Sequence, residues 1–172
     1  NLLFDLLKEN KIEPISIGDC LDLGFKKEII EPRYSTWASM PRDLENNEPF
    51  IRWNNPKNEI QQYQWRLTDL AINIVERNPE QKVREILDHA IHSDQYWWSS
   101  ARPWWSLEMI ERGAFDLKKV IDESDTATQD ERNEAQELYK SILFTGFEWQ
   151  RTGYVDEISR EENEEIRERL EE

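Results

Sequence analysis

The sequence predicts a mainly α-helical protein, a bundle of about four to five helices preceded by one short strand. Three observations lead there. Apolar residues between Ile60 and Trp149 recur at spacings of three and four, the period of an α-helix. The pairs Asn55-Pro56 and Asn78-Pro79 punctuate that stretch with helix-start signals. Strand character is confined to Pro14-Ile15-Ser16-Ile17, too little for a sheet of its own. The expected divisions are 1–24, 25–56, 57–152 and 153–172.

Residues 1–10 carry Leu2, Leu3, Leu6 and Leu7 at amphipathic spacing and read as the last turns of a helix. The short strand follows. Gly18 and Asp19 then open a brief helix through Leu23, which Gly24 stops. A helix, a lone strand and a short helix read as the tail end of an α/β unit whose other strands are missing. Residues 25–56 show no sustained period and hold four prolines, with Tyr34, Trp37, Phe50 and Trp53 among them. A long aromatic-rich connection of this kind is often functional.

The first long helix is expected from Pro56 to Arg77, with Asn55 as its cap. Ile60, Tyr63, Leu67, Leu70, Ala71 and Ile74 form one stripe, and Trp65 and Ile72 a second, so two covered sides are expected. Asn78-Pro79-Glu80-Gln81 repeats the start signal, with Gln81 placed to complete a capping box. Val83, Ile86, Leu87, Ala90, Ile91, Trp97 and Trp98 then share one face of a second long helix. Pro103 breaks it or starts the next. A third helix carries Leu107, Ile110, Ala114, Leu117 and Ile121, and a polar loop over 122–128 separates it from a fourth. The fourth carries Ala135, Leu138, Tyr139, Ile142 and Trp149, with Gly146 inside it. Residues 156–172 are almost wholly charged and read as a solvated helix or frayed tail, which Ser159 and Glu162 are placed to cap.

Charge narrows the partners. Asp and Glu number 37 against 22 Lys and Arg, a net charge of −15. Such a chain repels a phosphate backbone and an anionic membrane surface, so neither nucleic acid nor membrane is an expected partner. No apolar run approaches the roughly 18 residues of a spanning helix. Cys20 is the only cysteine, which excludes an internal disulfide and fits a cytoplasmic setting. The chain opens on Asn1 with no signal-like segment, and an excised piece of a longer protein is expected.

The run from Ser93 to Trp105 packs four of the eight tryptophans, Tyr96 and Asp94 into one short stretch. Flat rings beside a fixed carboxylate suit a sugar: rings cover its C–H faces and the acid accepts from its hydroxyls. The same rings also suit a core corner between helices. At about 100° per residue, Asp94 falls near the middle of the apolar stripe of the second helix. A carboxylate there must be paired, hydrogen-bonded or protonated, or else line a cleft. Arg102 is one candidate partner.

Other chemistry is thin. There is no Gly-x-Ser-x-Gly elbow, no histidine near Cys20 in sequence and no glycine-rich phosphate loop. His89 and His92, flanked by Asp88 and Asp94, have the spacing of a shared metal pair, but no third histidine exists, and no metal or other cofactor is expected. Glycoside hydrolysis needs two carboxylates across the scissile bond, and pattern alone singles out only Asp94.

Three segments together carry a resemblance. Ile12-Glu13-Pro14-Ile15-Ser16-Ile17-Gly18-Asp19-Cys20-Leu21 looks like a last barrel strand followed by a short helix. Tyr34-Ser35-Thr36-Trp37 with Ile51-Arg52-Trp53-Asn54-Asn55 looks like an "S-W … W-x-N" connection. Ser93-Asp94-Gln95-Tyr96-Trp97 looks like a "[SN]-D-x-x-W" signature. In order and approximate spacing the chain resembles the C-terminal part of glycoside hydrolase family 57 enzymes, the α-glucan-active amylases, 4-α-glucanotransferases and branching enzymes. That resemblance implies a strand left from a truncated (β/α)7 barrel, followed by a helical region that closes over a sugar cleft. It further implies that Asp94, Tyr96, Trp97, Trp98, Trp37 and Trp53 line the cleft for an α-glucan-like oligo- or polysaccharide. The nucleophile and general acid would lie upstream, in the barrel domain that is this region's partner, so no residue here is expected to be catalytic. The run Trp98–Trp105 departs from the glucan-active members. The alternative is an acidic helical protein–protein interaction module with the aromatic patch as its docking surface.

Overall fold

The computed structural model describes residues 2–24, 28–32, 34–77 and 80–170. The chain divides into two compact units, Asn1–Tyr34 and Ser35–Glu172.

In the first unit, α1 spans Leu2–Glu9 and α2 spans Ile17–Asp22. Ser16 starts α2 with a capping box: its hydroxyl accepts from the Asp19 N–H at 3.1 Å, and its own N–H donates to the Asp19 carboxylate at 3.2 Å. The expected strand over 14–17 is not present. Residues 12–16 have no regular structure and Ile17 opens α2, and among the described residues no strand pairs with any other. An isolated extended segment has no edge to bond to, so period alone cannot make it a strand. Leu3, Phe4, Leu6, Ile12, Ile15, Leu21 and Leu23 all lie exposed.

The second unit is a helical bundle. Its elements are α3 Pro41–Glu45, α4 Glu59–Arg77, α5 Gln81–Ala90, α6 Asp94–Trp98, α7 Leu107–Glu123, α8 Gln129–Thr152 and α9 Tyr154–Leu170. Helices α4, α5, α7 and α8 pack around one core of Leu67, Ala71, Ile74, Leu87, Ile110, Ala114, Leu117, Ile121, Leu138 and Ile142. These are the stripes set by the helical period, and burying each large aliphatic side chain contributes about 1.5–3 kcal/mol.

Helix ends follow local hydrogen bonding. Ser106 caps α7 through the Met109 N–H, and Thr128 with Glu131 forms a capping box on α8. Gly153, at φ 81°, ends α8 in the left-handed region and turns the chain into α9. Helix α4 begins later than expected. The Asn55 side chain accepts from the Lys57 N–H, closing a turn over Pro56, and Asn58 caps the helix by accepting from the Gln61 N–H at 3.1 Å. The capping signal at Asn78-Pro79 lies outside the described residues.

Two expectations need correction, because period alone does not show where a helix ends or which of its faces is covered. The second helix does not run to Trp98; α5 stops at Ala90, and α6 is a separate helix. The helix expected among the charged residues 156–172 is present as Tyr154–Leu170, but one face of it is covered rather than solvated. Val155, Ile158 and Glu162 bury one stripe of α9, and the pair read as a cap sits mid-helix. Ser159 donates to the Ala101 carbonyl at 3.0 Å, and Glu162 is 1% exposed.

Candidate functional site

The site is built on α6 and on the turn at 36–39. In that turn the Thr36 N–H donates to the Ser39 hydroxyl at 2.7 Å, the Ser39 N–H donates to the Thr36 carbonyl, and Ser39 Oγ donates to the Pro49 carbonyl at 2.8 Å. The turn holds Trp37 outward, 81% exposed. Its ring meets Trp53 edge-on at 5.9 Å and Trp97 edge-on at 6.0 Å, and Trp97 meets Trp98 at 5.4 Å. Four tryptophans from three parts of the sequence therefore form one chain of rings, Trp53–Trp37–Trp97–Trp98, in geometries aromatic pairs favour. Trp98 also packs against the helical core. The Trp97 indole N–H is buried with no hydrogen-bond partner among the described residues.

A polar seam on α4 positions α6. Gln64 Nε2 donates to the Gln95 carbonyl and Gln61 Nε2 to the Tyr96 carbonyl, each at 3.0 Å, while Asn58 Nδ2 donates to the Ser99 carbonyl at 2.9 Å. The Ser99 hydroxyl returns a bond to Gln64 Oε1 at 2.7 Å. These amides saturate the carbonyls of a helix too short to hold itself. The loop is fixed to the same helix: Gln61 Nε2 also donates to the Arg52 carbonyl, and Trp65 Nε1 donates to the Trp53 carbonyl, both at 2.9 Å.

The six residues picked out by sequence part company here. Trp37, Trp53, Trp97 and Trp98 come together. Asp94 opens α6 and is exposed, so it is not the buried carboxylate that the extended stripe implied; the buried polar residue is its neighbour Gln95. Arg102 is not its partner either, since the Arg102 guanidinium bonds Glu162 at 2.9 Å. On α6, Asp94, Trp97 and Trp98 stand at i, i+3 and i+4, which places the carboxylate on the helix side that carries the rings. Tyr96 points the other way. It is 3% exposed, stacked on Trp65 at 4.4 Å, with its hydroxyl 2.5 Å from Thr68 Oγ1. Burial pushes its phenol up to about 12.

Sequence reading missed the group that closes the loop onto the last helix. Arg52 bonds both Asp43, at 2.5 Å, and Glu162, and all three side chains are buried. Arg102 completes the Glu162 pairing, and the Met40 N–H donates to Asp43 at 2.8 Å. No local pattern announces such a network. Only the helical register of Glu162 with Val155 and Ile158 marks it as inward-facing.

The arrangement offers ring surfaces and the exposed Asp94 carboxylate. Among the described residues no group of three or more His, Cys, Asp or Glu is placed to hold a metal ion, and no helix is long and apolar enough to cross a membrane. No protein-family model, curated protein or solved structure matches the chain.

Proposed function

We propose that the chain is the cleft-lining helical region of a cytoplasmic, carbohydrate-active protein resembling glycoside hydrolase family 57. Trp37, with Trp53, Trp97 and Trp98 behind it, covers the C–H face of an α-glucan-like sugar, and Asp94 accepts from its hydroxyls. The catalytic carboxylates come from an upstream barrel domain, the partner of this region. The observation that carries this reading is the Trp37 ring, held outward by a bonded turn and backed by a second tryptophan at 6.0 Å. A ring needed only for packing would be turned inward, as Tyr96 is.

The test is a titration of intrinsic tryptophan fluorescence with maltooligosaccharides, run beside Trp37→Ala and Asp94→Asn. A saturable shift that both substitutions weaken supports the reading. A shift unchanged by Trp37→Ala, or none when the chain is joined to its barrel, overturns it.

A second reading, an acidic interaction module, draws on a different observation: the exposed apolar side chains of Leu3, Phe4, Leu6, Leu21 and Leu23 in the first unit. Single exposed leucines are ordinary, but so many in so short a segment suit a partner surface. Sedimentation of the chain alone and with the barrel separates the two, because a module self-associates or binds without sugar chemistry.

A further inference from the structure

We propose that a second cleft, between α9 and the corner at 55–58, binds a neutral oligosaccharide. It is separate from the ring surface above, and neither Trp37 nor Trp97 lines it. The cleft encloses about 260 Å3, and an adjoining one of about 270 Å3 shares Asn55, Lys57, Arg102 and Glu161 with it. Together they reach the scale of small-molecule sites, about 300–1,000 Å3. One wall is aromatic. The Gly153 turn brings Tyr154, 43% exposed, to within 4.9 Å of Trp149 with the rings perpendicular.

The other walls carry polar groups that the protein leaves unused. Among the described residues the side chains of Lys57, Glu157 and Glu161 make no ion pair and no hydrogen bond, and Asn55 Nδ2 donates to nothing. Glu157 and Glu161 are one helical turn apart on α9, a like-charged pair that disfavours itself by a few tenths of a kcal/mol. Beneath them Arg102 is fixed by Glu162, so the floor is rigid before any ligand arrives.

These groups select the ligand class. An anion meets two free carboxylates on a chain of net charge −15. A cation meets Lys57 and the Arg102 guanidinium. An apolar ligand would bury all of them unsatisfied. A hydroxyl both donates and accepts, so one polyol can serve the carboxylates and the ammonium together. The Tyr154 and Trp149 rings supply the apolar face that a pyranose also needs. Two adjoining compartments fit more than a single sugar unit.

The test uses the whole chain and saturation-transfer NMR with calorimetry against maltohexaose, cellohexaose, xylohexaose and chitohexaose. Glu157→Gln, Lys57→Met and Tyr154→Phe alter the exposed lining, with circular dichroism to verify the fold. We expect one of these sugars to bind, and Glu157→Gln and Lys57→Met each to weaken it about tenfold, while Phe144→Ser, exposed and outside the lining of both compartments, leaves it unchanged. Failure of all four sugars overturns the proposal, and so does binding that ignores both cleft substitutions. Binding lost only in Trp37→Ala overturns it while supporting the first surface, so the two readings fail separately.

Discussion

The Glu162 carboxylate on α9 bonds the Arg52 guanidinium, 110 positions earlier in the chain, and both are buried. Arg52 is in turn bonded to Asp43, and Glu162 to Arg102. One network therefore joins the loop that carries Trp37 and Trp53 to the last helix.

Removing Glu162 leaves Arg52 buried beside a single carboxylate. Glu162→Ala is expected to cost about 3–5 kcal/mol, the scale of breaking a buried pair from one side. Glu161→Ala, one residue away and exposed, is expected to stay within about 0.5 kcal/mol. Urea unfolding of both variants checks this; equal midpoints would mean the network is solvated and contributes nothing.

Most of the bundle was legible in the sequence because its signal is local. The stripes of α4, α7 and α8 read correctly, since each depends on neighbours within one or two turns. What failed depends on distant partners. Gln61, Gln64 and Thr68 occupy the second stripe of α4, yet polar residues there look solvated until Tyr96, Gln95 and Ser99 are brought against them. Asp94 reads as buried only if the helical period runs through 91–93, where α5 has already ended. The ring surface was half legible. Trp97 and Trp98 announce themselves, but joining Trp37 and Trp53 to them takes the fold.

Alkaline pH should loosen the fold through Tyr96. Burial holds its phenol at about 12, partly offset by the Thr68 hydrogen bond, whereas an unfolded phenol titrates near 10. Between those values the unfolded chain releases a proton that the folded chain keeps. The stabilisation is therefore full below about pH 10 and is lost as the pH climbs toward 12, by on the order of 2 kcal/mol. Tyr139, raised to about 12 by burial and then by its bond to Glu111, acts in the same direction. Urea midpoints at about pH 9 and pH 11.5 should fall less in Tyr96→Phe than in the parent. An identical fall would remove Tyr96 from the account.

Two helical glycines should respond in opposite ways to alanine. A Cβ on Gly113 would lie 2.5 Å from Gln95 Oε1 and 2.6 Å from Gln95 Cβ, so α6 must shift, and about 1–3 kcal/mol of destabilisation is expected. On Gly146 the near atom is the tip of Leu107, Cδ1 at 2.7 Å, which can rotate away. The better helix propensity of alanine, about 1 kcal/mol, then leaves Gly146→Ala neutral or stabilising. Thermal melts of the pair check the contrast. A larger loss at Gly146 would mean that the α7–α8 approach is the tighter one.

Asp94 and Gln95 are adjacent, but they answer to different surroundings. Asp94 is exposed, and among the described residues its side chain accepts only a long 3.4 Å hydrogen bond from Ser93 Oγ. Gln95 is fully buried, with Nε2 donating to the Ala90 carbonyl at 2.8 Å and to the His92 carbonyl at 3.2 Å, which holds the α5–α6 break closed. Asp94→Ala is therefore expected to shift stability by less than about 0.5 kcal/mol. Gln95→Ala should cost about 2–4 kcal/mol, from the orphaned carbonyls and the cavity beside Gly113. Hydrogen exchange at residues 92–100 should rise with Gln95→Ala and not with Asp94→Ala. If the two substitutions exchanged these effects, the helix would run unbroken through 91–93, and Asp94 would return to the buried stripe.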